Sequence, residues 1–196
     1  LLFKKKDDTE WGAIALQGES TENSVFRNII FDGGSGGQLN NIKYTGSLSI
    51  HNTKNIELTN INMSNNKNFD DMLHIVYAKN IKIDSINIED SFMDAIDIDM
   101  SNNIEIKNAQ IKNSGNDAID LMESDVIITD STLNNSKDKA ISVGENSFLI
   151  LNNSILFKNN IAIATKDNSF AFILHTDLNK NNISFNNYLK NWRYGD

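Results

Sequence analysis

Four segments of the chain share one pattern of ionisable and apolar residues: Asp71-Met-Leu-His74-Ile-Val76, Asp94-Ala-Ile-Asp97-Ile-Asp99, Asp117-Ala-Ile-Asp120-Leu-Met122 and Lys139-Ala-Ile-Ser142-Val-Gly144. Laid over one another in register, they form two acidic columns. One holds Asp71, Asp94 and Asp117, then Lys139. The other holds His74, Asp97 and Asp120, with Asp99 beside it. Stacked strands lie about 4.8 Å apart, so neighbouring carboxylates such as Asp97 and Asp120 repel by roughly 3 kcal/mol at an effective dielectric of 20. A bound cation, a shared proton or the neighbouring Lys139 and His74 can offset that repulsion. An all-carboxylate set drawn from Asp94, Asp97, Asp99, Asp117 and Asp120 suits the oxygen shell of Ca²⁺ better than that of Mg²⁺, which prefers few protein ligands. The corner column also has a structural reading, because an Asp before a strand fastens a turn by accepting backbone N–H bonds. Asp97, Asp99 and Asp120 sit mid-strand, where Asp is disfavoured, so the functional reading is stronger for them. Asp70 and Glu123 are candidate rim residues. His51 and His175 have no ionisable company in the pattern, and with no Cys present a zinc site is not expected.

The columns exist only if the chain coils, and a repeat supplies the coil. The apolar pairs Leu48/Ile50, Leu73/Ile75, Ile96/Ile98, Ile119/Leu121, Ile141/Val143 and Ile163/Thr165 recur at steps of 25, 23, 23, 22 and 22 residues. A second series keeps pace at Ile56/Leu58, Ile81/Ile83, Ile104/Ile106, Val126/Ile128, Phe148/Ile150 and Phe170/Phe172, and a third at Met63, Ile88, Ile111, Leu133 and Ile155. Alternation with period two over so few residues specifies strand, since a 3.6-residue period would scatter these side chains. Three short strands per coil predict an all-β, right-handed, single-stranded parallel β-helix, a solenoid of coils of about 22 to 23 residues. Asn60, Ser85, Asn108, Asp130 and Asn152 mark the bend after the second strand, where side chains can hydrogen-bond from coil to coil.

We read residues 1–196 as one β-helix domain, with irregular first coils at 1–47, regular coils at 48–177 and a C-terminal cap at 178–196 that includes Tyr188, Trp192 and Tyr194. The run Gly33-Gly-Ser-Gly-Gly37 lacks the Lys-Ser/Thr and helix of a phosphate loop and is read as a flexible loop. A hydrophobic fraction of 39% suits a solenoid, whose coils need only a thin apolar axis. The net charge of −8 argues against nucleic acid, and the sequence has no apolar run long enough for membrane insertion. No leader-like segment opens the chain, which reads as mature or trimmed, and as a candidate part of a larger multidomain polypeptide.

The Asp-Ala-Ile-Asp pair and the stacked Ile-x-Ile coils resemble the pectate-lyase-like superfamily of right-handed β-helices, over roughly Leu48 to Asp177. The superfamily includes polysaccharide lyases, polygalacturonase-type hydrolases, uronan epimerases and surface modules without catalysis. The resemblance implies that Asp94, Asp97, Asp117 and Asp120 match the acid and base carboxylates of the hydrolases. It leaves Lys139 as the base of a calcium-dependent lyase, because the two arginines, Arg27 and Arg193, lie outside the regular coils. The chain lacks the Gly-His-Gly and Arg-x-Lys motifs of those enzymes. The leading expectation is a secreted or cell-surface module that engages polysaccharide through a calcium-dependent acidic patch. The alternatives are a polysaccharide-active hydrolase, lyase or epimerase using the Asp ladder and Lys139, and a non-catalytic stalk or adhesin segment.

Overall fold

A computed structural model describes residues 1–194. They form a parallel β-solenoid of about six turns whose coils are about 23 residues apart. The strands Ile14–Gln17, Gly46–His51, Asp71–Val76, Ile96–Asp99, Ile119–Met122, Lys139–Gly144, Ile161–Lys166 and Ile183–Tyr188 make one parallel sheet in that order, here called the site sheet. The remaining faces form a second parallel sheet. Its main path runs through Val25–Asp32, Lys54–Ser64, Lys79–Glu89, Asn102–Lys107, Asp125–Thr129, Phe148–Asn152 and Phe170–Leu174, and the short strands Gln110–Lys112, Thr132–Asn134 and Ile155–Phe157 branch from it. Two 3-10 turns, Glu19–Thr21 and Trp192–Tyr194, are the only helical segments among the described residues. Among the described residues no helix is long and apolar enough to cross a membrane.

The coils stack because each contributes the same few inward side chains. Leu48, Leu73, Ile96, Ile119, Ile141 and Ile163 pair in sequence across the site sheet and are all buried. The first coils join the same stack: Ile14 pairs with Leu48 and Phe26 with Leu58. Their longer spacing comes from an inserted antiparallel hairpin, Gly37–Leu39 with Ile42–Tyr44. At the other end the pairing continues to Tyr188, which lies opposite Lys166. Gly195 and Asp196, the last two residues of the expected cap, lie outside the described residues.

Six positions differ from the sequence reading by one residue. In the fifth and sixth coils the inward side chains of the second strand are Leu149 with Leu151 and Ala171 with Ile173, not Phe148/Ile150 and Phe170/Phe172. On the third strand Leu156 is inward and fully buried, while Ile155 is 47% exposed. The bend residue is Asn153 (φ 49°), not Asn152. The cause is the turn Gly144-Glu-Asn-Ser147, one residue longer than its counterpart after Leu121, with both Glu145 (φ 52°) and Asn146 (φ 60°) left-handed. A fixed step of 22 residues therefore slips, and bulky Phe side chains on the outer face disguise the slip.

The abundant asparagines are the hinges of the coil. They occupy left-handed backbone, which most L-residues avoid at a cost of about 1–2 kcal/mol, and they join coils by side-chain ladders. Asn113 Nδ2 donates to Asp90 Oδ1 at 2.8 Å, while Asn113 Oδ1 accepts from Asn135 Nδ2 at 2.6 Å. Asn103, Asn80, Asn55 and Asn23 form a second ladder at 2.9, 2.9 and 3.1 Å. Inside the turns serines do the same for the backbone: Ser124 Oγ accepts from Ser101 N, and Ser147 Oγ from Ser124 N. Replacing Asn113 (φ 61°) by Ala is expected to cost about 1–2 kcal/mol in urea denaturation. Asn113→Gly should cost less, because it keeps the backbone geometry and loses only the exposed amide ladder. Equal losses in the two variants would assign the effect to the ladder alone.

Candidate functional site

The outer face of the site sheet carries three parallel columns. The corner column is Gly46, Asp71, Asp94, Asp117, Lys139 and Ile161. The middle column is Ser49, His74, Asp97, Asp120, Ser142 and Ala164, and the far column is His51, Val76, Asp99, Met122, Gly144 and Lys166. The strand pairing thus brings the sequence-selected residues Asp94, Asp97, Asp99, Asp117, Asp120 and Lys139 onto one face.

The columns behave differently. In the corner column the carboxylates fasten turns: Asp94 Oδ1 accepts from the backbone N–H of Asp117 at 2.7 Å and from Asn116 Nδ2 at 2.9 Å, and Asp117 Oδ1 accepts from the backbone N–H of Lys139 at 2.8 Å. Burial pushes Asp94 up to about 6, with help from Asp120 and against these hydrogen bonds. Burial pushes Asp117 up to about 7 although Lys139 pulls the other way. The Lys139 ammonium lies 3.3 Å from Asp117 Oδ2 and bonds Asp138 closely. Burial disfavours its charge, but Asp138 and Asp117 more than offset that and raise it to about 12. Lys139 is therefore a cation at neutral pH, poorly suited to take a proton from substrate.

Asp97 accepts no hydrogen bond among the described residues. Burial first, then the charges of Asp71, Asp99 and Asp120, drive its carboxyl far upward. Asp71 is raised too, mainly by burial, while a hydrogen bond to the Thr45 side chain and the proximity of His74 resist the shift. The five candidate metal ligands do not gather into one group. Asp97 and Asp99 converge with His74, and Asp94 converges with Asp70 and Asp71, the donor atoms of each trio lying within 4.8 Å of one another. Asp117 is tied to Lys139, and Asp120 faces Lys166, whose Nζ is 3.9 Å from Asp120 Oδ1. Glu123, a candidate rim residue, approaches Tyr194 instead.

Two features escaped the sequence reading. His51 is not solitary: its Nε2 is 3.2 Å from His74 Nδ1, the rings meet edge to face at 4.9 Å, and Tyr44 from the inserted hairpin packs on it at 5.0 Å. Burial, then His74, lowers His51 to about 4, so it is neutral. The second feature is Lys166, only 4% exposed, which extends the face toward the C-terminal end. Its side chain runs back across Gly144, where an added Cβ would meet Lys166 Cε at 2.8 Å and Nζ at 3.2 Å. A side chain at position 144 would displace the end of Lys166 from its present path toward Asp120. Beyond it, Glu145 and Asp167 hold the C-terminal segment: Lys190 Nζ is 3.3 Å from Glu145, and Asp167 Oδ1 accepts from the N–H groups of Lys190 and Asn191. Aligning the sixth coil one residue beyond Thr165 would have found Lys166, but its reach could not be read without Gly144.

No protein-family profile matches the chain, and no curated protein matches it in sequence. Solved structures do resemble it in fold. Full-length tailspike protein 2 from an Escherichia coli O157:H7 bacteriophage superposes with a TM-score of 0.53 at 12% identity, over 90% of this chain and 33% of that one. The catalytic domain of a GH87 α-1,3-glucanase in complex with nigerose gives 0.50 at 11% identity, over 89% and 44%. A putative glycosyl hydrolase from Parabacteroides merdae gives 0.50 at 10% identity, over 84% and 76%. The chain spans about a third of the tailspike and under half of the glucanase domain. At these identities the likeness is one of architecture alone: the chain shares the parallel β-helix fold with these proteins.

Proposed function

We propose that the outer face of the site sheet engages polysaccharide. The observation that carries this reading is the ladder of ionisable side chains from Asp71 to Lys166 on one sheet, with the carboxyl groups of Asp97 and Asp99 left without hydrogen-bonded partners among the described residues. A repeating polar surface with a rung every 4.8 Å or so suits an extended chain of sugar rings better than a compact ligand. The enzymatically active tailspike domain and the glucanase, which share the fold, lend support. We place the protein outside the cell or on its surface, where such polymers are met. Calcium is the cation we propose for the all-oxygen trio Asp70, Asp71 and Asp94, whose carboxylates supply part of a Ca²⁺ shell.

A second reading, glycoside hydrolysis, is favoured by one observation: Asp97, driven upward, holds a proton at neutral pH, while its neighbour Asp120 faces the Lys166 ammonium. A protonated carboxyl on one rung and a carboxyl beside a lysine ammonium on the next match the division of labour that sugar hydrolysis requires.

Affinity electrophoresis through neutral and uronate-containing polysaccharides, together with a reducing-end assay, tests both readings. Retardation in at least one polymer is expected, with at least about a tenfold loss of affinity, roughly 1.4 kcal/mol, in Asp97→Asn. Asp120→Asn should abolish any release of reducing ends. Migration unaffected by every polymer would sink the binding proposal. Absence of heat and of any melting shift in millimolar calcium would remove calcium from it.

A further inference from the structure

The trio His74, Asp97 and Asp99 differs from the acidic row around it because one donor is an imidazole. His74 is nine-tenths buried. Its Nε2 points at the two carboxylates, 3.5 Å from Asp99 Oδ2 and 4.0 Å from Asp97 Oδ2, and makes no hydrogen bond among the described residues. The opposite ring nitrogen is held on two sides: Nδ1 is 2.8 Å from Thr45 Oγ1 and 3.2 Å from His51 Nε2. Thr45 and His51 thus occupy the Nδ1 side of the ring, and Nε2 is the nitrogen left to meet Asp97 and Asp99. In the tautomer with its proton on Nδ1, the neutral imidazole turns the Nε2 lone pair toward the two carboxyl groups, and a cation that displaces the carboxyl proton can join the three donors.

We infer that His74 Nε2, Asp97 and Asp99 form a site for a first-row divalent transition ion, such as Zn²⁺, Co²⁺ or Mn²⁺. Donors each about 2.0–2.2 Å from a common ion lie roughly 3 to 4 Å apart, and the spacings of Nε2 from the two oxygens fall in that range. Imidazole suits such ions, whereas Ca²⁺ and Mg²⁺ favour oxygen. Thr45 and His51, both at Nδ1, are the outer support that a metal-bound histidine normally has, orienting the ring. The register explains the set. Asp97 and Asp99 are two apart on Ile96–Asp99 and so share its outer face, and His74 is the residue paired with Asp97 on the preceding coil. All three donors approach from the sheet, so the ion's outer positions face the surface proposed to meet polysaccharide, where a sugar hydroxyl or carboxylate can complete its shell. The assignment of the metal does not depend on the polysaccharide reading.

The test is titration of the EDTA-stripped 196-residue chain with CoCl₂, followed by visible absorption, with circular dichroism to verify folding. The expected result is one Co²⁺ per chain with d–d bands that persist in excess CaCl₂. Both His74→Leu and Asp99→Asn should lose the bands, so a folding failure in one leaves the other to decide. Thr45→Val, which removes only the outer support, should bind about 10- to 100-fold more weakly. Wild-type protein without bands, bands unchanged in His74→Leu, or displacement of Co²⁺ by equimolar Ca²⁺ would each overturn the assignment. Polysaccharide retardation run in parallel separates the two claims: glycan bound without cobalt rejects only the metal site, and cobalt bound without glycan rejects only the polysaccharide reading.

Discussion

Lys139→Met is expected to lower the unfolding free energy by about 3–5 kcal/mol near pH 8, the usual result of stranding one partner of a buried ion pair. Asp117 has a side chain only 2% exposed, and the Lys139 ammonium is the cation beside it. Methionine fills much of the same volume, so the loss reports charge rather than a cavity. The size of the loss should depend on pH. Asp117 in the folded protein sits at about 7 with Lys139 pulling it down; without that cation its carboxyl is pushed further up, so the penalty grows as pH rises above 7, and well below 7 the carboxyl is neutral in both proteins and most of the penalty disappears. Asp117 also accepts the backbone N–H of Lys139, which Lys139→Met leaves in place. Lys139→Met/Asp117→Asn should therefore recover a large part of the stability. Urea denaturation of the single and double variants at pH 5.5 and pH 8 measures this. A single variant no less stable than the double at pH 8 would remove the pair from the account of what holds the coil together.

The metal-free protein is expected to be markedly more stable at pH 5.5 than at pH 8. Asp94, Asp117, Asp71 and Asp97 are all raised in the fold above the ordinary 3.8. A group raised on folding holds its proton more tightly in the folded state, so its stabilisation is complete below 3.8 and is lost as pH rises through the folded value. For Asp94 that is about 6 and for Asp117 about 7, with Asp97 higher still. His51 acts in the opposite sense. Lowered to about 4 from 6.5, it costs stability as pH falls through that interval, which places the optimum in mildly acidic solution rather than at the lowest pH. An Asp moved from 3.8 to about 7 corresponds to roughly 4 kcal/mol when forced to ionise. Several such groups together approach the whole margin of a folded domain, about 5–15 kcal/mol. The net fall from pH 5.5 to 8 should be on the order of 5 kcal/mol, seen as a drop of roughly 10 °C in Tm. Divalent cations that occupy the row should shrink the drop, because they favour the ionised carboxylates. Melting curves in EDTA that are flat or rise across this range would contradict the proposed burial of the row.

Most of the architecture was legible because the first strand of each coil advertises itself. Paired Ile and Leu residues two apart, from Leu48/Ile50 to Ile141/Val143, are inward in the structure at the predicted steps. The placement of Asp97 over Asp120 and of Asp71, Asp94 and Asp117 on one side follows directly from that register. Legibility failed where a step changed length or where a contact crossed coils. The longer turn at Gly144–Ser147 shifted the outer strands by one residue. His51 gained its partner through a neighbouring coil, and Tyr44 reached it from a hairpin that belongs to no repeat. Lys166 reached Asp120 by skipping the rung between them, which periodicity cannot express.

The Asn ladders carry a consequence for how such a molecule changes size. The laddered hinge asparagines bond their counterparts above and below, so a unit such as residues 94–116 can be copied in tandem and every new amide finds a mate already shaped for it. Growth or shrinkage by whole units preserves the architecture. The distance between the carboxylate-rich and lysine-bearing ends of the exposed face is therefore adjustable in discrete increments, like the pitch count of a screw, without redesigning any single turn.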